Sequence, residues 1–219
     1  MEDETISAYL TELGAKDGSY GGGSTAAYMG AMSASLVRKV IDIQKDKSRY
    51  LENENEMKEL LKESEYIMKR FETLAKSDTV AFEPVLKAYK LPNETSEDKY
   101  TRKDAIERAL QGATQPPQDI IEEGLKLIRM LKKLIAFRMK GTIMNDLMVA
   151  TLIMDSVLEA AVLNITINTK MMKDKTVKSQ LDKEAKKSLA KGKIELTALS
   201  ESIRYFLEYN EWPDFVIGE

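Results

Sequence analysis

The 219-residue chain carries 33 basic and 36 acidic side chains, a net charge of −3, and neither cysteine nor histidine. Such a balance offers no basic field to a nucleic acid, and the missing thiols exclude disulfides, thiolate nucleophiles and thiolate metal sites. Without histidine the usual near-neutral acid–base group and the commonest metal ligand are also gone, so any catalysis must run on carboxylates, Lys, Tyr, hydroxyls, amides and helix ends.

The acidic opening MEDETISAYL lacks the apolar run of a signal peptide, which predicts a cytoplasmic protein. A first helix is expected near 3–14. The stretch SYGGGSTAAYMGAMSA (Ser19–Ala34) then sets Gly21, Gly22 and Gly23 ahead of Ser24, which is placed to cap a helix over 24–46. Two readings of the glycines stand side by side. They let helices meet at close quarters, or they leave backbone N–H groups bare for an anion at a helix N-terminus.

From Met57 the apolar positions Leu60, Leu61, Met68, Phe71 and Leu74 keep helical spacing, predicting a helix over 48–76. Ser77 or Asp78 then caps the next, over 78–90, in which Pro84 should kink or stop the chain. Further helices are expected over 97–114 and, after Pro116-Pro117, over 117–138, with the stripe Ile120, Ile121, Gly124, Ile128, Leu131 and Ile135. Ile143–Ile167 is apolar enough to suggest a membrane span by length, but Asp146, Asp155 and Glu159 make spanning costly. It reads instead as a buried central helix over 145–172 capped by Asn145, with no membrane partner. A last helix covers 177–208, and the tail YNEWPDFVIGE is expected to be non-helical and packed on the body or a partner. No stretch alternates like a strand. The fold class is all-α: a single domain over 1–219, an up-and-down bundle of about eight helices.

Two stretches carry candidate chemistry. Asp78 falls where a helix dipole would favour its ionised form, either as a simple cap or as a functional carboxylate. On the central helix Asp146, Asn164 and Asn168 share one side, as functional groups or as buried amides bonded across helices. Asp146 and Asn164 are nonetheless roughly 27 Å apart along a straight helix. Either they serve different sites, or a second subunit brings the far end round.

The segments ISAYLTELGAKDGSYGGGSTAA, SDTVAFEPVLKAYKLPNET, AIERALQGATQPPQDIIEEG and NDLMVATLIMDSVLEAAVLNITINTK together resemble the cyclodeaminase/cyclohydrolase family of folate enzymes. The resemblance implies a helical homodimer that binds a tetrahydrofolate one-carbon derivative and needs no cofactor or metal. It implies hydrolysis of 5,10-methenyltetrahydrofolate to 10-formyltetrahydrofolate. The alternatives are deamination of formiminotetrahydrofolate, and folate binding without turnover. Asp146 is then the first choice of general base, with Asp78 next. Asn164 and Asn168 would hydrogen-bond the pterin or the reacting centre, and the Gly21–Ser24 turn, aided by Arg102 or Lys170, would hold the glutamate tail. Tyr20, Asn145, Leu147 and Met148 depart from the family pattern beside the presumed pocket.

Overall fold

Small side chains on one helix set the spacing of the bundle. In the computed structural model, which describes residues 5–214, helix α2 (Gly22–Gln44) presents Gly30 to α3 (Glu54–Ala81), and a Cβ at Gly30 would stand 2.6 Å from the Phe71 ring. Glycine is required there because the ring fills its place. On another face of α2 the Ser33 hydroxyl donates to the Ala150 carbonyl of α7 (Met144–Met171) across 2.8 Å. A short helix α1 (Ile6–Leu13) precedes α2, and a 3₁₀ turn over Ser48–Asn53 leads into α3.

The remaining elements are α4 (Glu83–Tyr89), α5 (Ser96–Ala113), α6 (Gln115–Ala136) and α8 (Lys175–Tyr209), giving eight α-helices among the described residues and no strand there. Cross-links fix the up-and-down directions. Arg70–Asp119 and Lys133–Glu56 set α3 against α6, while Thr169–Asp182 and Asp155–Lys193 set α7 against α8. The main core is built by α2, α3, α6, α7 and α8, with Phe71, Ile120, Leu131, Met154 and Leu158 buried in it. A smaller apolar cluster joins Val85, Leu110 and Met172 under α4 and α5.

Several boundaries differ from the sequence expectation. Helix α3 runs through Ser77 and Asp78 rather than ending before them, so neither caps a new helix; Ser77 Oγ bonds back to Thr73. The break falls at Phe82, and Pro84 sits in the first turn of α4, where its missing N–H costs nothing. Ser24 is the third residue of α2 rather than its cap: Gly21 caps, and the Ser24 hydroxyl bonds both the N–H and the carbonyl of Gly21. Ile143, not Asn145, precedes α7.

Helix α7 is long and apolar enough to cross a membrane by length and composition, with half of its most apolar window buried inside the fold. Leu147 and Met148 are buried and belong to the core. The tail packs on the body as far as it is described. Trp212 stacks on Phe206 at 4.6 Å and donates its indole N–H to the Met139 carbonyl at 2.8 Å; residues 215–219 lie outside the described residues. Trp212→Phe keeps the stack and orphans that carbonyl, so a loss of about 1 kcal/mol is expected in urea unfolding followed by circular dichroism.

Candidate active site

The glycine turn is occupied by a carboxylate from a neighbouring helix. Asp78, near the end of α3, lies over the first turn of α2 and accepts a hydrogen bond from the Ser24 backbone N–H. A Cβ on Gly23 would overlap the Asp78 carboxylate, so glycine is what lets it reach the helix end. The next residue back meets α7: a Cβ on Gly22 would touch the Asn164 amide at 3.7 Å. Three helices therefore bring Gly22, Gly23, Ser24, Asp78 and Asn164 together.

Electrostatics at this point are opposed. Burial pushes the Asp78 carboxyl above its ordinary range, and the Ser24 N–H pulls it back; burial is the larger effect. The result is a partly sheltered carboxyl with a raised pKa, aimed at a helix N-terminus. A ligand carboxylate bound to the same N–H groups would face Asp78 at like charge. A cationic ligand would meet an attractive field.

Asn164 donates to the Ala160 carbonyl at 2.8 Å. Asn168, one turn on, is buried and donates to the carbonyls of Asn164 (2.9 Å) and Ala113 (3.4 Å), while its side-chain oxygen has no partner among the described residues. Tyr20, its ring tilted at 57° against that of Tyr9 with centroids 4.8 Å apart, helps fold α1 over the turn, and Tyr9 bonds Thr25 at 3.0 Å.

The other expected site residues stand elsewhere in the chain. Asp146 pairs with Lys39 at 2.8 Å, at the opposite end of the antiparallel α2–α7 pair from Gly22. Seventeen residues of α2 separate Lys39 from Gly22, roughly 25 Å. Arg102 is tied to the Tyr89 carbonyl at 3.1 Å and lies over the Tyr89 ring, fastening α5 to α4. Lys170 is exposed at the end of α7. Between α4 and α5 a 740 Å³ cleft is lined by Ala81, Pro84, Ala88, Ala105 and Arg108, among others.

Sequence reasoning missed one buried acid. Glu123 of α6 is buried, bonds Lys126 at 2.9 Å through one oxygen, and leaves the other unpartnered among the described residues. Its signal was present: position 123 falls on the apolar stripe between Ile120 and Leu127. No group of three or more acidic residues placed to hold a metal occurs among the described residues.

These features define an all-helical protein whose site rests on a carboxylate and amides at a helix N-terminus. Residues 5–187 match the formiminotransferase-cyclodeaminase family model, and the chain belongs to that family. It is 33% identical over 201 residues to a methenyltetrahydrofolate cyclohydrolase of Methylorubrum extorquens, covering 92% of this chain and 94% of that one. It is 28% identical over 190 residues to the formimidoyltransferase-cyclodeaminase of Sus scrofa, covering 87% of this chain but 35% of that longer protein. Among solved structures, the formiminotetrahydrofolate cyclodeaminase of Thermotoga maritima superposes with a TM-score of 0.78 at 25% identity, over 96% of this chain and 99% of that one.

Proposed function

We propose that this protein hydrolyses 5,10-methenyltetrahydrofolate to 10-formyltetrahydrofolate, as a cytoplasmic homodimer that uses no cofactor. The observation that carries the reading is the Asp78 carboxylate held over the first turn of α2, beside the Asn164 amide. The methenyl bridge is an amidinium, cationic and already electrophilic. A carboxylate beside it offsets the positive charge and takes a proton from the attacking water, a general-base role. The new C–O bond gives a neutral tetrahedral carbon. Asp78, now protonated, returns its proton to N5 as the C–N5 bond breaks, and loss of the hydroxyl proton leaves the formyl group on N10. Asn164 suits hydrogen bonds to the pterin edge or to the oxygen of that intermediate.

This assigns the base to Asp78 first and gives Asp146, paired with Lys39, a second place within one chain. It also moves the glutamate tail away from the glycine turn, whose end Asp78 already fills. Similarity to the Methylorubrum extorquens cyclohydrolase over nearly the full length of both chains supports hydrolysis. The likeness to the Thermotoga maritima cyclodeaminase favours the second reading, release of ammonia from a formimino group on the same folate. Methenyl absorbance separates them. Purified protein is expected to speed its decay from added 5,10-methenyltetrahydrofolate. Growth of the same band from 5-formiminotetrahydrofolate, with ammonia released and no faster decay, would establish the deaminase instead.

A further inference from the structure

The 740 Å³ cleft between α4 and α5 has an outer end and an inner one. Arg102, near the start of α5, bonds the Tyr89 carbonyl at the end of α4 and closes the outer end, beside Leu91 and Thr101. Ala81 and Gly112 line the inner end. Ala81 follows Asp78 on α3 by less than one turn, roughly 4.5 Å along the axis. Gly112 precedes Ala113, whose carbonyl accepts the amide of Asn168, one turn beyond Asn164 on α7. Both walls of the cleft are thus anchored beside the groups that converge on Gly22 and Gly23.

We propose that this cleft binds the aminobenzoyl-glutamate arm of the folate, with the aryl ring between α4 and α5 and a glutamate carboxylate at Lys87 and Arg108. The assignment rests on the folate reading above. In that substrate the aryl ring is attached to N10, which is bonded to the carbon that water attacks. The arm therefore starts beside Asp78 and needs a way out. The glycine turn gives it none, because Asp78 already fills the end of α2. The cleft begins within a turn of the same carboxylate.

Its shape suits a flat ring followed by a short chain. Ala81 and Ala88 line one side and Ala105 and Ala109 the other, and a Cβ at Gly112 would meet nothing within 4 Å. Apolar walls with a few polar groups at defined points are what small-molecule pockets offer. From Thr101 to Gly112 the α5 wall runs roughly 16 Å. An extended aminobenzoyl-glutamate spans roughly 12 Å at ordinary bond lengths, so the arm ends inside the cleft.

Charge suits the glutamate. The charged side chains of the lining are Lys87, Asp104 and Arg108, two cations and one acid. Lys87 is paired with Glu83 at 3.1 Å and Arg108 with Asp104 at 2.9 Å, each along its own helix. Exposed pairs of this kind are weak, so a ligand carboxylate can displace Glu83 from Lys87. The Arg108 guanidinium has donors enough to hold Asp104 and the ligand together.

Gly112→Leu fills the inner end of the cleft at a position where the new side chain meets no neighbour. Leucine is also the better helix former, so Tm is expected to hold or rise. KM for 5,10-methenyltetrahydrofolate is expected to rise about tenfold as the aryl contact is lost. Lys87→Glu is expected to raise that KM about fivefold, the size of one partly exposed ion pair. Its effect should be much smaller on 5,10-methenyltetrahydropteroate, which lacks the glutamate, whereas Gly112→Leu should impair both substrates. A KM unmoved by Gly112→Leu would overturn the proposal, and a Lys87→Glu effect equal on the two substrates would overturn the glutamate contact. Binding is read separately by saturation-transfer NMR with p-aminobenzoyl-glutamate alone. The wild type is expected to give a signal that Gly112→Leu loses; equal signals, or none from the wild type, would overturn the assignment. Failure of the folate reading shows instead as no turnover of either substrate by the wild type, and the cleft then stands or falls on the binding signal.

Discussion

Asp78→Asn is expected to lower kcat for methenyltetrahydrofolate hydrolysis by about 10²–10⁴-fold, the range of a lost general base, with a much smaller change in KM. The amide keeps the shape that Gly23 accommodates and can still present an oxygen to the Ser24 N–H, so the helix contact survives while the base is removed. Folding stability should move the opposite way. Burial raises the Asp78 pKa in the folded protein, so over the range between its unfolded and folded values the native state binds the proton more tightly. Stability from this group is therefore fully present below the unfolded pKa and is lost as pH rises through the folded one. At neutral pH the ionised carboxylate is a net cost, which the uncharged amide of the variant would relieve. A variant slow in turnover yet higher in Tm at pH 7, with the Tm difference shrinking as pH falls, is the combined signature of a functional group kept at the expense of stability. Wild-type kcat should decline as pH falls through the raised pKa, on a limb above the ordinary carboxylate range. A Tm lowered by the substitution would mean that Asp78 is chiefly a structural cap.

Helical periodicity made the bundle legible because each long segment must bury one face, and Phe71, Ile120 or Leu131 recur at the spacing that does so. Boundaries were less legible. Ser77 and Asp78 carry the chemistry of N-caps, and only the tertiary structure shows that α3 continues through them while Asp78 serves the end of a different helix. The same limit applies to the site. Sequence order places Gly21–Ser24, Asp78 and Asn164 in three separate segments, and nothing local says that they converge. Their convergence depends on α2 packing antiparallel to both α3 and α7. The 18-residue spacing of Asp146 and Asn164 was readable, and so was the conclusion that one ligand could not touch both in one chain. The Lys39 partner of Asp146 was not, because an exposed lysine over a hundred residues distant leaves no periodic trace.

Phe71→Ala is expected to cost about 3–5 kcal/mol in urea unfolding, the upper range for truncating a fully buried aromatic ring. The ring is wholly shielded and stands where the side chain of residue 30 would otherwise be. This makes residues 30 and 71 a coupled pair. Gly30→Ala alone pushes a methyl to 2.6 Å from the ring edge, and with helix backbones on both sides the strain should cost about 1–3 kcal/mol despite the better helix propensity of alanine. Combined with Phe71→Leu, which shortens the ring side, the added methyl gains room. The double variant should then lose less than the sum of the two single losses, by about 0.5 kcal/mol or more, the lower end of couplings measured between touching residues. The consequence reaches the site, because α2 and α3 that are held apart at Gly30 are also held apart at Gly23, two turns away, where Asp78 crosses between them. Gly30→Ala should therefore slow turnover as well as destabilise, and Phe71→Leu in the same chain should restore part of both. Additive losses, or a stability loss with turnover unchanged, would mean that the Gly30 contact and the Asp78 contact are independent, and that α2 can shift at one without moving at the other.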